Sequence, residues 1–368
     1  GMLDAGFVGQ ITYTISLDQV YDELDIHFSF DKRLYSESDV TPELIDRLQT
    51  LCTAKYGAPT YPVEEFRQTI LHEMKTEIHT MTELNDNFIG CIHRQLTDRH
   101  MLYTKEFTSD GCLAQDTFSG VLKVTVLVFN VLLDNTQYTL TVSGHPVGQG
   151  VIAPNFNLMD TVKTAAGNAG ASNAAGSADN SCDAKSAPAS AVATAGSSGV
   201  SGAGSAATAG DSSTTGSSSA GNTVTASTRF KRLELHNHTV ESDGSLTCQE
   251  LTEYLAADHV DAFAITDHNT TSGQKKIEQL LEEKHYPISL IRGMEYTTYF
   301  GHILCLNLAK YVPWNSIDQH RPELLFEAAR EKGALVGIAH PFSYGDPFAR
   351  GCRFEMTVSD YSKVDFIE

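Results

Sequence analysis

Period-two alternation marks the first clear element of the chain. Leu24, Ile26, Phe28 and Phe30 stand against Asp25, His27 and Ser29, the pattern of a half-buried strand. Thr41 is a good N-cap, and Pro42 at the first helical position opens a helix running to Lys55. Val63, Phe66, Ile70, Met74, Ile78 and Met81 recur at steps of three or four, which predicts an amphipathic helix of about 20 residues. Strand patterns follow at 87–96, 101–107, 120–133 and 138–142, with Asp134-Asn135 as the turn between the last two. Antiparallel strands with inserted helices predict a small β-rich α+β domain or β-sandwich over residues 1–160.

The pattern changes character after residue 228. Phe230, Leu233 and Leu235 alternate into His236. Further apolar runs at 262–266, 288–292, 301–304 and 334–339 are separated by helical patterns at 249–258, 273–284 and 322–332. Strands alternating with helices are the βα repeat of a parallel sheet or barrel, whose ligand sites lie at the C-terminal strand ends. Between the two patterned regions, residues 161–228 are almost wholly Ala, Gly, Ser, Thr and Asn. So little large apolar surface cannot offset the entropy of ordering, which predicts a disordered linker. As a Gly/Ser-type coil it would span about 40–45 Å root mean square and tether the two domains loosely.

Histidines and carboxylates concentrate at the strand ends of the second region. His236 and His238 sit two apart on a strand, so both imidazoles face one side, about 7 Å apart at their Cα atoms. Such a pair alone is as often a surface accident as a metal site. Here it is joined by Asp243, by Asp267-His268 after the second strand and by Glu295 after the third. His302 opens the fourth strand, and His340 follows the fifth. Random placement would scatter these residues over loops and helices, so a metal site is expected. In the first domain, His72-Glu73 starts like a zinc-protease His-Glu-x-x-His, but Thr76 stands where the second histidine is required. His72 and His79 fall on one face of the predicted helix and read as solvent-exposed.

The set of motifs (His236-Asn237-His238-Thr239 with Ser242-Asp243-Gly244, Thr266-Asp267-His268-Asn269, Gly293-Met294-Glu295, the step from Glu295 to His302, and Ala339-His340-Pro341) resembles the PHP (polymerase and histidinol phosphatase) family of metal-dependent hydrolases over about residues 229–368. The run from Gly293 to His302 is similar to the branch known as CehA/McbA-type metallohydrolases, which often carries an N-terminal β-rich domain. The resemblance implies a distorted (β/α)7 barrel with two or three divalent ions at the strand ends. It implies that His236 and His238 hold one ion. Glu295 would bridge that ion to a second on His302 and His340, while Asp243 and His268 bind a third. Asp267 is expected to orient an imidazole rather than to bind metal. The family's last motif, Asp-x-His, has no counterpart after His340, and Val364 to Glu368 reads as a further strand, so a chain cut within the barrel is expected.

Imidazole and carboxylate without thiolate suit Zn, Mn or Fe. Paired ions can generate hydroxide near neutral pH and polarise a phosphoryl oxygen. Neither a Gly-x-Ser-x-Gly motif nor a P-loop lysine is present, so hydrolysis of phosphate esters is the leading expectation. The substrates expected are nucleotides or the 5′ ends of short nucleic acids, with Arg350 and Arg353 as candidate phosphate contacts. Cleavage of a carboxylic ester, amide or carbamate is the alternative, and an inert binding module the third class.

The net charge of −20 argues against broad, non-specific nucleic-acid binding, though not against a nucleotide held at a metal site. Seven cysteines with no Cys-x-x-Cys pair fit a reducing cytoplasm, and no segment reads as a signal or membrane span.

Overall fold

The computed structural model describes residues 1–57, 62–148, 231–315, 317–318 and 320–368 of the 368-residue chain. The expected linker over 161–228 and the start of the strand at Phe230 lie outside the described residues. The protein is a mixed α/β structure built on two sheets.

The first sheet has seven strands: β1 (Met2–Leu3), β2 (Gly9–Phe30), β3 (Glu77–Leu84), β4 (Asn87–Ile92), β5 (Asp98–Tyr103), β6 (Phe118–Asn130) and β7 (Thr136–Pro146). Their order is β1-β7-β2-β6-β3-β4, with β5 also paired to β2, and every pairing is antiparallel. β2 runs for 22 residues and changes partner along its length. Gly9 to Leu17 pair with β6, whereas Tyr21 to Phe30 lie between β7 and β5. Its first half alternates as visibly as its second (Ile11, Tyr13, Ile15 and Leu17 against Thr12, Thr14 and Ser16), so the strand begins well before Leu24.

Helix α1 (Pro42–Tyr56) forms as expected, with the Thr41 hydroxyl accepting from the Leu44 amide at 3.3 Å. Helix α2 (Val63–Glu73) is about half the expected length, because residues 77–84 are a strand instead. β3 lies between β6 and β4 with nearly every side chain buried, so its apolar positions need not alternate and imitate helical spacing. The β-branched Thr76, Ile78, Thr80 and Thr82 were the signal for strand. His79 is therefore not a solvent-exposed helical residue: it is fully buried on β3.

The second sheet comprises β8 (Leu233–Glu234), β9 (Ala262–Ile265), β10 (Ser289–Thr298), β11 (Gly301–Leu306), β12 (Leu335–Ile338) and β13 (Phe366–Ile367), in the order β13-β12-β11-β10-β9-β8. Helices α3 (Cys248–Ala257), α4 (Ser272–Lys284) and α5 (Glu323–Glu331) fall within the expected spans to a residue or two. Thr247 and Glu250 form a reciprocal capping box that starts α3.

The expected (β/α)7 barrel is not what the described residues form. β10 and β11 are joined by Tyr299-Phe300, too short for a crossover helix, so they pair antiparallel as a hairpin. β8, β9, β10, β12 and β13 run one way and β11 the other. Among the described residues, no helix is long and apolar enough to cross a membrane, and six cysteines are buried free thiols.

The two halves are not loosely tethered. Met81, Phe88, Cys91, Leu127 and Phe129 of the first sheet share one buried cluster with Met294, Tyr296, Ile303, Trp314 and Phe326. Gly111 pins the junction: its amide donates to the Glu241 carboxylate at 3.1 Å, and its carbonyl accepts from the Thr270 hydroxyl at 2.9 Å. At φ +80°, a Cβ there would lie 2.3 Å from the Cys91 carbonyl oxygen, so the contact requires glycine.

One surface pair yields a pH prediction. His27 and His100 face each other across β2 and β5 with rings stacked at 4.2 Å, and His100 Nδ1 lies 2.9 Å from Asp25. The hydrogen bond to Asp25 raises the His100 pKa against the opposing effect of burial. A folded pKa above the unfolded value gives stability that is complete below about pH 6.5 and fades as pH rises through the raised value. The urea midpoint of the wild type is expected to fall, relative to Asp25→Asn, as pH is raised through that window. Parallel pH profiles for the two proteins would refute the pairing.

Candidate metal centre

Strand direction explains why the histidines converge. His236 and His238 follow β8, His268 follows β9, His340 follows β12 and Glu368 follows β13, all at the same edge of parallel strands. β11 runs in reverse, so His302, its second residue, reaches that edge too. Glu295 is in the body of β10 rather than at its end. In the hairpin register, Glu295 opposes Leu304 while Thr297 opposes His302, which places Glu295 and His302 diagonally on one face.

The result is one fully buried carboxylate among five imidazoles. Glu295 Oε2 lies 2.9 Å from His236 Nε2, 3.2 Å from His238 Nε2 and 3.2 Å from His268 Nδ1. Its Oε1 lies 2.9 Å from both His302 Nδ1 and His340 Nε2. Each oxygen therefore faces its own set of histidines. Burial alone would raise the Glu295 pKa, but His268, His302 and His236 hold it well below the usual carboxylate range. Burial opposes charge on His236 as well, yet Glu295 and then Glu368 push its pKa up to about 10.

The donor set fits divalent cations. It is imidazole and carboxylate throughout, and His238 Nδ1, His302 Nε2 and Asp243 Oδ1 are buried without a hydrogen-bond partner. The combinations His236–Glu295–His340, His238–His268–Glu295 and His93–Asp243–His268 each bring three ligand atoms within 4.8 Å of one another. His236 and His340 keep 14% and 22% of their side-chain surface exposed, whereas His238, His268 and His302 keep 4% or less, so the mouth opens at His236 and His340.

Three expectations change. Asp267 does not orient an imidazole: its carboxylate accepts from the Thr239 amide (2.7 Å), the Thr239 hydroxyl (2.9 Å) and the Ser242 hydroxyl (2.7 Å). It anchors the loop that carries Asp243. Arg350 donates to Asp346 at 3.0 Å, and Arg353 lies over the Tyr56 ring at 5.4 Å, so both candidate phosphate contacts are engaged by partners outside the histidine cluster. A proline-containing loop after His340 gave those arginines sequence proximity but not direction. Two residues at the centre had gone unread. Glu368 meets His236 Nδ1 at 3.0 Å, and His93, contributed by the first sheet, stands against Asp243. No sequence pattern links His93 to this site, because the contact spans 150 residues of chain.

Residues 1–146 match a family of unknown function, DUF6669. The chain is similar to a 5′-3′ exoribonuclease of Haemophilus influenzae, with 36% identity over 141 residues, 36% of this chain and 50% of that protein. It is also similar to the 5′-3′ exoribonuclease Rnm of Escherichia coli, with 34% identity over 79 residues, covering 20% of this chain and 27% of the relative. The chain thus spans half or less of the length of these relatives. Among solved structures, a two-domain protein from Bacteroides vulgatus containing a predicted PHP-like metal-dependent phosphoesterase matches at 23% identity and TM-score 0.27, over 30% of this chain and 35% of that one. An amidohydrolase from Chromobacterium violaceum matches at 23% identity and TM-score 0.21, over 28% and 39% respectively.

Proposed function

We propose that the protein is a metal-dependent phosphoesterase of the PHP type, acting on nucleotides or on the 5′ ends of short nucleic acids. The observation that carries this reading is Glu295, whose two carboxylate oxygens face separate histidine sets, the arrangement a carboxylate needs to serve two cations. Two or three divalent ions of the Zn, Mn or Fe kind would be held by His236, His238 and Glu295, by Glu295, His302 and His340, and by Asp243 with His268. When bound, such ions polarise a phosphoryl oxygen and lower the pKa of water.

The chain's own residues do the rest. Glu295 keeps the two histidine sets in register on one face of β10 and β11. Asp267 fixes the Thr239–Ser242 loop so that Asp243 is presented without conformational search. Tight packing around His238, His268 and His302 excludes water from the rear of the site, leaving approach from the His236 and His340 side. Phe342, two residues beyond His340 in the sequence, is 84% exposed and leaves a ring face on which a base can stack. This supports a nucleotide over a small phosphate ester, in keeping with the names of the exoribonuclease relatives.

The second reading is hydrolysis of a carboxylic ester, amide or carbamate, as in the CehA/McbA-type branch. It is favoured by the engagement of Arg350 with Asp346, a partner outside the cluster. A substrate panel separates the two. A metal-loaded preparation is expected to hydrolyse a nucleoside bisphosphate and a 5′-phosphorylated oligonucleotide, with Phe342→Ala raising KM for both by about tenfold, as loss of one stacking contact would. Turnover confined to an aryl ester or aryl carbamate would establish the second reading instead.

A further inference from the structure

The buried group beside the Glu295 cluster contains a histidine from the other half of the chain. β4 ends at Ile92, and the next residue, His93, enters the C-terminal half with 1% of its surface exposed. Its Nε2 lies 3.4 Å from Asp243 Oδ2, while His268 Nε2 lies 3.7 Å from Asp243 Oδ1. The His93 and His268 rings stack at 4.1 Å with 19° between their planes. Asp243 keeps 9% of its side-chain surface, and its Oδ1 has no hydrogen-bond partner.

We propose that His93 is a ligand of a divalent cation shared with Asp243 and His268, so that the metal centre is assembled from both halves of the chain. This rests on the metal-dependent reading above and adds to it a specific role for the N-terminal domain. The spacing supports a cation. A charge-assisted hydrogen bond between imidazole and carboxylate closes to about 2.7–2.9 Å. Ligand atoms around a tetrahedral ion, each about 2.0–2.2 Å from it, stand about 3.4 Å from one another. The separations at Asp243, 3.4 Å to His93 and 3.7 Å to His268, exceed that hydrogen-bond length, and ligand atoms of all three residues lie within 4.8 Å of one another.

The surroundings hold the three residues in place. Arg94, next to His93, donates to the carbonyl of Gly244, next to Asp243, at 3.3 Å. Gln95 donates to the His93 carbonyl at 2.7 Å. The Gly111 amide reaches Glu241, two residues before Asp243, at 3.1 Å. On the opposite side, His268 Nδ1 is bound to the Thr297 hydroxyl at 2.7 Å, which directs its Nε2 towards Asp243.

The test titrates the metal-free full chain with Zn2+, reading stoichiometry by elemental analysis and affinity by calorimetry. Wild type is expected to bind one equivalent more than His93→Ala, or to bind that equivalent more than about 100-fold tighter, beyond the effect of losing an orienting partner. His93→Cys, which retains a zinc ligand, is expected to recover the equivalent, whereas His93→Gln is not. These two variants, matched to wild type by circular dichroism, carry the test if the alanine variant does not fold. Equal stoichiometry and affinity in wild type and His93→Gln would overturn the proposal while leaving the Glu295 site intact. So would loss of the equivalent in Glu77→Gln but not in Asp243→Asn, since Glu77, His79 and His93 form the competing cluster within the first sheet. A wild-type chain that binds no Zn2+ at all would instead overturn the metal-dependent reading itself.

Discussion

Glu295→Gln is expected to empty the paired metal positions, leaving at most the single cation at Asp243. The amide preserves side-chain volume, so packing in β10 survives. Its loss is electrostatic: one charge that faces five imidazoles and would offset two divalent ions disappears. Elemental analysis should show the stoichiometry falling from at least two ions, and turnover of the phosphorylated substrates should drop by at least about 1,000-fold, the scale of losing an essential electrostatic element. In the metal-free protein the same substitution should return the His236 pKa from about 10 towards its ordinary value, which proton NMR of the imidazole reads directly. A full complement of metal in Glu295→Gln would sink the bridging role.

Asp267→Ala should be the most damaging substitution for stability among residues that do not themselves face the metal positions. Three donors converge on this fully buried carboxylate, two from Thr239 and one from Ser242. Each buried donor left without a partner costs about 1–3 kcal/mol, and water entering the vacated space recovers part of it, giving a net loss of about 2–4 kcal/mol. The loop from Thr239 to Gly244 should then loosen, weakening the cation at Asp243 more than those at Glu295. Chemical denaturation and metal titration of the variant together test this. An unchanged midpoint would mean that the loop is held by its backbone hydrogen bonds, Ser242 and Gly244 to the Thr239 carbonyl, and not by Asp267.

How far these features could be read from the sequence depended on how local their causes are. The βα alternation after residue 228 placed α3 and α4 within a residue or two, because capping residues such as Thr247 and the apolar spacing act within a turn or two of helix. The histidines could be singled out for the same reason: each sits in or beside a short strand whose boundary is written in its own few residues. β3 shows the limit. Residues 77–84 have apolar spacing compatible with a helix, and only burial between β6 and β4 decides for a strand, which also carries His79 from the surface into the interior.

The sequence by itself singled out the donor-bearing residues that the fold gathers: His236, His238, Asp243, His268, Glu295, His302 and His340 all stood out by type and position. Tertiary structure decided three things that no local pattern encodes. The hairpin of β10 and β11 set which face of the sheet Glu295 shares with His302, since pairing register depends on two strands together. Hydrogen bonding turned Asp267 towards its loop and Arg350 towards Asp346, since a side chain's direction follows from the partners around it. And the shared core of the two sheets brought His93 against Asp243, a contact between residues far apart in the chain that only folding makes near.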